Sequence, residues 1–189
     1  MENFQALEKE VYGIMEKELP KHLTYHSIDH TKHVVRRSEY IARAEGCSEA
    51  EIRLLKTAAL FHDIGFIHTY RDHEEKGCEI VREELPSKGY SNEQIDTICG
   101  MIMATKIPQN PQNNLEKIIA DADLEYLGTD DFEEIGDLLF KELRHFNPEL
   151  SRDDWNEIQI KFLKAHHYHT EFCRENRQGR KLENLDSLK

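Results

Sequence analysis

Apolar side chains recur along most of the chain with the three-to-four-residue spacing of helices that cover a core. The clearest stripes are formed by Leu54, Leu55, Ala58, Ala59 and Phe61, and by Ile135, Leu138, Leu139 and Leu143. No segment shows the sustained alternation of apolar and polar residues that is typical of a half-buried strand. The pattern therefore predicts an all-α fold with little or no sheet.

Helix-end signals divide this pattern into segments. Ser48 and Ser91 each precede a Glu or Gln by three residues, as in a capping box, and Ser151 begins a weaker version with Asp at that position. Pro108 and Pro111 interrupt the chain with a polar loop over residues 107–113. The predicted helices cover residues 2–18, 29–45, 49–63, 72–85, 92–104, 113–125, 130–146 and 152–178.

Length and charge limit the classes of function. The 189 residues suit a single domain over 1–189, with a motif-bearing core at about 22–128 and C-terminal helices at about 129–189. There are 25 Lys and Arg against 37 Asp and Glu, which gives a net charge of −12. This charge argues against binding to a nucleic-acid polymer, which needs a dominant basic surface.

Location is predicted from what the sequence lacks. No apolar run approaches the roughly 20 residues that span a bilayer, and the N-terminus has no apolar signal-peptide core. The four cysteines are widely spaced and none forms a C-x-x-C pair, as expected for reduced thiols. We expect a cytoplasmic protein without a membrane partner, and a homodimer remains open.

Histidine and aspartate concentrate in three short segments, at residues 25–34, 59–65 and 119–128. In the second segment His62-Asp63 ends an otherwise apolar helix, where an imidazole and a carboxylate are costly to bury unless they are paired or bind a metal. A mixed set of nitrogen and oxygen donors suits a borderline or hard divalent ion.

The order of these residues resembles a known signature. His30, then His62-Asp63, then Asp123 in Asp-Ala-Asp-Leu is similar to the H…HD…D pattern of the HD-domain superfamily of metal-dependent phosphohydrolases. The resemblance runs from about residue 25 to 128 and implies a helical HD-domain bundle with a C-terminal helical extension. It also implies that His30, His62, Asp63 and Asp123 hold one divalent ion, drawn from Mn, Fe, Ni, Co, Mg and Zn. Asp121 is the alternative to Asp123 as the fourth ligand of this ion.

The family resemblance implies hydrolysis of a small phosphate ester by a metal-activated water, with a nucleotide or related metabolite as the favoured substrate. Two alternatives remain: a di-iron oxygenase on the same scaffold, and a non-catalytic module that binds a nucleotide. The oxygenase needs two further histidines. His73 could supply one of them, but Thr105 stands near the position where the other is expected.

Other residues near the motifs are candidates for the reaction. His26 resembles the phosphodiesterase histidine that protonates the leaving oxygen. The role of assisting the attacking water is either unfilled or falls to Asp63 or Glu74. Lys106, just before the proline-rich loop, could protonate or screen the leaving oxygen. The predicted substrate-binding residues that follow the His-Asp pair are Arg71, His73 and Glu74.

The C-terminal segment carries two groups that the motifs do not explain. Trp155, Gln159, Phe162 and Leu163 have helical spacing and are interpreted as core contacts. Three histidines in four residues, interpreted as exposed helix residues, are His166, His167 and His169.

Overall fold

The computed structural model describes residues 3–189, which form ten α-helices. In chain order these are α1 (Phe4–Glu18), α2 (Ile28–Ala44), α3 (Glu49–Phe61), α4 (His73–Glu84), α5 (Asn92–Ala104), α6 (Asn114–Asp123), α7 (Phe132–Phe146), α8 (Arg152–Ala165), α9 (Glu171–Asn176) and α10 (Gln178–Ser187). Short 3-10 helices span Ile64–Ile67, Leu85–Lys88 and Glu125–Gly128. Residues 3–189 contain no strand, so the all-α prediction is confirmed. None of the described helices is long and apolar enough to cross a bilayer.

Local capping fixes where several of these helices begin. The serine hydroxyl accepts the N–H of the third helical residue, and the side chain of that residue accepts the serine N–H. The three predicted pairs are present as Ser48 with Glu51, Ser91 with Gln94, and Ser151 with Asp154.

The main core lies among α1 to α6. Val34 on α2, Leu55 on α3, Ile98 on α5 and Ile118 on α6 are all fully buried there. Burial of one such side chain stabilises the fold by about 1.5–3 kcal/mol. This packing holds α2, α3 and α6 side by side, which places the three histidine and aspartate segments close together.

A second apolar cluster joins the C-terminal helices to the end of α6. Leu124 and Leu127 pack there with Phe132 of α7, Leu163 of α8 and Leu185 of α10. The predicted C-terminal extension is therefore packed against the residues that follow the last motif.

The prediction of one helix over residues 152–178 is wrong. Helix α8 ends at Ala165, and an extended segment leads from there to the short helix α9. Buried Asp121 accepts the backbone N–H groups of His169 and Thr170, at 2.9 and 2.8 Å, and the Thr170 hydroxyl at 2.6 Å. These long-range hydrogen bonds replace helical ones, and helical spacing alone does not reveal them.

The predicted apolar stripe of α7 is only partly buried in the structure, and it includes a buried carboxylate. Leu138 is 40% exposed, whereas Glu142, four residues later, is fully buried. The helix turns its Phe132 and Glu142 face inward, because Glu142 has hydrogen-bond partners across the molecule. A buried carboxylate on an otherwise apolar face marks this helix as part of a polar site.

Candidate functional site

A cluster of imidazoles and carboxylates forms where the N-terminus of α2 meets the C-termini of α3 and α6. His30 lies in the first turn of α2, whose N-cap Ser27 accepts the His30 N–H. His62 and Asp63 directly follow the last residue of α3, and Asp123 is the last residue of α6. Side-by-side packing of these helices brings the three motifs to one place.

The donor atoms of this cluster are close together. His30 Nε2 lies 3.0 Å from Asp123 Oδ1 and 3.3 Å from His62 Nε2, and His62 Nε2 lies 3.6 Å from Asp123 Oδ1. Asp63 Oδ2 is 3.2 Å from His62 Nε2 and 3.6 Å from His30 Nε2. His30, His62 and Asp123 are a group whose donor atoms all lie within 4.8 Å of one another.

This donor set fits a divalent ion. His62 Nδ1 is 2.8 Å from the carbonyl oxygen of Ala59, which can only accept, so Nδ1 carries a hydrogen and Nε2 is directed at the cluster. Bonds of about 2.0–2.1 Å to one ion separate neighbouring ligand atoms by roughly 3.0–3.4 Å, close to the spacings observed. Asp63 Oδ2 is buried without a hydrogen-bond partner, as a ligand atom would be.

The cluster is electrostatically paired. Burial alone would lower the pKa of His62, but Asp63 and Asp123 raise that pKa well above its usual value. Burial would raise the pKa of the two carboxyls, but the facing imidazoles of His62 and His30 hold both pKa values well below the usual range. A divalent cation would replace the protons shared by these groups, so its binding would release protons.

A histidine–carboxylate pair lies beside the cluster. His26 Nδ1 is 2.6 Å from Glu142 Oε1, and the other oxygen of Glu142 accepts the backbone N–H groups of Tyr25 and His26 at 2.9 and 3.1 Å. Tyr70 donates its hydroxyl to Glu142 at 3.2 Å. Burial opposes protonation of His26, but the hydrogen bond to Glu142 and the negative charges of Glu142, Asp63 and Asp123 together raise the pKa of His26. The His26 and His30 ring centroids are 6.2 Å apart.

A cavity of about 270 Å³, called the chamber below, opens between this pair and the cluster. Its polar wall includes His26, Asp63, His73, Glu74 and Asp123. Its apolar wall comes from the 3-10 helix Glu125–Gly128 and from α7 and α8, and includes Leu127, Phe132, Leu139, Leu143, Trp155 and Phe162. Trp155, Gln159, Phe162 and Leu163, interpreted from the sequence as core contacts, all line this chamber.

The family model for the HD domain matches residues 27–127, which contain the whole cluster. The chain belongs to the HD-domain family. The structure also resembles the crystal structure of a predicted HD superfamily hydrolase from an uncultured Thermotogales bacterium, with a TM-score of 0.65 and 21% sequence identity. That match covers 95% of this chain and 88% of the other, and it shows a shared fold. No curated protein matches the sequence significantly.

Within this HD domain, Asp121 and Asp123 point in different directions. Residues two apart on a helix lie about 200° apart around its axis, so the two carboxylates cannot share one side. Asp121 is hydrogen-bonded to His169 and Thr170 in the C-terminal segment, and its pKa is raised by burial. The competing ligand candidate is thus placed away from the imidazoles.

His73 and Glu74 lie on the polar wall of the chamber, as expected for residues near a substrate. The His73 ring stacks on Phe66 with centroids 3.8 Å apart, and its Nε2 lies 3.6 Å from Asp63 Oδ1. Burial lowers the pKa of His73, which favours its neutral form. Thr105, at the position where a di-iron centre would need a histidine, donates its hydroxyl to the carbonyl oxygen of Ile102 at 2.8 Å.

The structure does not bring Arg71 and Lys106 into the chamber. Lys106 Nζ contacts Asp72 at 2.8 Å and Glu75 at 2.5 Å on the outer surface. Arg71 is exposed in the loop before α4, and neither cation lines the chamber. Of the six predicted catalytic and substrate-binding residues, those on the chamber wall are His26, Asp63, His73 and Glu74.

Sequence reasoning missed Glu142, which lies 116 positions from His26. One signal was available, since Glu142 is three residues after Leu139 on the apolar stripe of α7, where a carboxylate is costly without a partner. The three C-terminal histidines, interpreted from the sequence as exposed helix residues, instead lie between α8 and α9 and line one small cavity, with the ring centroids of His167 and His169 5.3 Å apart. His166 accepts a hydrogen bond from Lys181 at 3.2 Å, and burial lowers the pKa of His166 to about 3.

Proposed function

We propose that this HD-domain protein is a metal-dependent phosphohydrolase that cleaves a small phosphate ester. The observation that supports it is the cluster of two imidazoles and two carboxylates with a histidine–carboxylate pair 6.2 Å away, ring to ring, across one chamber. His30, His62, Asp63 and Asp123 would hold one divalent ion.

A bound divalent ion would supply positive charge for the phosphate oxygens and a water of lowered pKa. Water would attack phosphorus and give up one proton to solvent, and the bond from phosphorus to the ester oxygen would break. The leaving oxygen would take a proton to form an alcohol, with inorganic phosphate as the other product. Asp63 orients the water by accepting a hydrogen bond from it.

His26 protonates the leaving oxygen in this proposal. Glu142 occupies Nδ1 of His26, so Nε2 is the atom that can give up a proton. Because the pKa of His26 is raised from its ordinary value of 6.5, the imidazole stays protonated at a higher pH than a free histidine does. A general acid that acts near neutral pH needs this property. Glu142 is therefore a positioning residue that acts through His26.

The proposal is tested by metal analysis together with a panel of phosphate esters. Wild type loaded with Mn, Co, Ni or Mg should hold one ion per chain and release inorganic phosphate. Asp63→Ala should lose the ion and the activity together. Full metal stoichiometry in that variant would overturn the ligand set. Two irons per chain with O₂ consumption would favour the oxygenase, and nucleotide binding without turnover would favour the non-catalytic module.

A further inference from the structure

The two walls of the chamber differ in chemistry, and this difference bears on which phosphate ester the site accepts. We infer that the substrate carries an apolar body of about six carbons, an alkyl chain or a single aromatic ring, seated against α7 and α8. This inference rests on the proposed function, since it takes the phosphate to be bound at the cluster.

Charge is the first argument. Among the described residues that line the chamber there is no Lys or Arg, while three carboxylates lie on the polar wall, at Asp63, Glu74 and Asp123. A nucleoside diphosphate or triphosphate needs several cations for its phosphate chain. One divalent ion at the cluster carries two positive charges against these three carboxylates, so it can coordinate the oxygens of a single phosphate group but has no charge left to neutralise a phosphate chain. The lining therefore favours one phosphate and disfavours a polyphosphate.

The apolar wall of the chamber also favours a hydrocarbon body. Leu127, Leu139, Leu143 and Phe162 would face whatever part of the substrate lies beyond the phosphate. The hydroxyls of a sugar and the polar edges of a base would lose water there without gaining hydrogen bonds, which costs free energy. A hydrocarbon body would instead gain from every apolar atom that leaves water.

Volume sets the size of that body. An apolar cavity of about 150 Å³ holds one benzene molecule, and a water-sized group takes about 30 Å³ of liquid. The chamber of about 270 Å³ thus has room for roughly nine such groups, of which the phosphate takes about a third. About six carbons remain for the body.

Exposed apolar residues at the entrance agree with this interpretation. Ile107 is 52% exposed and Ile158 is 44% exposed, and both also line the chamber. Large aliphatic side chains that connect solvent with an apolar cavity are typical of a passage for an apolar ligand.

Binding is measured first, with non-hydrolysable n-alkylphosphonates from methyl to octyl and the manganese-loaded protein. Trp155 is the single tryptophan of the chain and lines the chamber, so its fluorescence reports on occupancy. We expect Kd to fall about fourfold for each added methylene up to about six carbons and then to level off. Equal Kd values for methylphosphonate and hexylphosphonate would overturn the inference.

Hydrolysis separates this inference from the proposed function. Hexyl phosphate and phenyl phosphate should exceed glycerol 2-phosphate and AMP in kcat/KM by at least about tenfold. Turnover of all esters without this preference would overturn the inference and keep the phosphohydrolase. Length-dependent phosphonate binding without turnover of any ester would keep the apolar chamber and overturn the phosphohydrolase.

Two variants test the apolar wall directly. Ile158→Asp should weaken hexylphosphonate binding about tenfold and change methylphosphonate binding less than about twofold. Leu138→Asp is the matched control, because Leu138 is 40% exposed on α7 and does not line the chamber. Leu139→Phe keeps the wall apolar but takes up volume, so affinity should stop rising at a shorter chain. If the Asp variants affect hexylphosphonate equally, the body does not lie against Ile158 and the inference is overturned.

Discussion

The polar and apolar walls of the chamber come from different parts of the chain. The cluster lies within residues 27–127, the segment matched by the HD domain, and its donors are set by three short motifs at helix ends. Most of the apolar wall lies on α7 and α8, outside that segment. In the proposed function, the metal ligands and most of the surface that contacts the substrate body would therefore come from different helices, while α7 would serve both through Glu142 and its leucines.

The largest loss of hydrolysis is expected from a substitution in the polar wall that leaves the apolar wall unchanged. Asp123→Asn should abolish binding of the divalent ion and lower hydrolysis by about 1000-fold or more, since the positive charge at the phosphate is lost. Metal stoichiometry and phosphate release are measured on the same preparation. Retention of the ion would show that Asp123 is not a ligand, and the polar wall would have to be redefined.

Helix α7 contributes to both sides of the site, because it carries Glu142, which pairs with His26, and also Leu139 and Leu143 of the apolar wall. Glu142→Gln should lower kcat by about 100-fold and move the alkaline limb of the rate profile to lower pH, because the pKa of His26 loses the contributions of the Glu142 hydrogen bond and charge. KM for a short ester should change little. A uniform loss with an unshifted pH profile would indicate a merely structural role.

Glu142→Gln should also change how the free energy of unfolding depends on pH. The His26–Glu142 pair is fully formed between pH 4.5 and 6.5, the ordinary pKa values of the two groups. Its contribution is lost as pH rises through the raised pKa of His26, or falls through the lowered pKa of Glu142. The unfolding free energies of wild type and Glu142→Gln should therefore differ most within this window, measured by urea denaturation. A difference that grows above pH 8 would contradict the pairing.

Asp121 provides a contrast with Asp123 on the same helix. Asp121→Asn should keep the ion but lower the free energy of unfolding by about 2 kcal/mol, because an amide group replaces an acceptor of buried N–H groups. Metal analysis and denaturation are compared for the two variants. Loss of the ion from the Asp121 variant, with the fold intact, would reverse the assignment.

The smallest effect is expected at Lys106. Its ammonium group is held by Asp72 and Glu75 on the outer surface, so Lys106→Ala should change kcat/KM by less than about twofold. Steady-state hydrolysis of a short ester is sufficient as a measurement. A loss of 100-fold would place this lysine in the reaction, as its position before the proline-rich loop first indicated.

The parts that sequence predicted well are those governed by neighbours along the chain. The serine caps and most helix bounds follow from local hydrogen bonds and apolar spacing. The convergence of His30, His62 and Asp123 follows from motif order once the family resemblance is recognised, and the structure places their donor atoms together.

The parts that sequence did not predict depend on distant partners. The break after Ala165 comes from Asp121, 48 positions before His169. Glu142 lies on the apolar stripe of α7, but its hydrogen-bond partner His26 is 116 positions away, so helical spacing alone does not reveal the pair. The chamber is similarly hidden, since a side chain such as Trp155 that lines a cavity has the same helical spacing as one that fills a core.

The contacts of Asp121 and Asp123 on α6 also bear on whether the HD segment could fold without the rest of the chain. Its last helix directs one carboxylate to the cluster and the other to the backbone of His169 and Thr170, beyond the matched residues. A fragment cut after residue 127 would leave Asp121 without these donors and expose Leu124 and Leu127. The HD motif therefore depends on residues outside the matched segment, and transfer of the proposed site to another scaffold would also require the C-terminal residues that contact Asp121, Leu124 and Leu127.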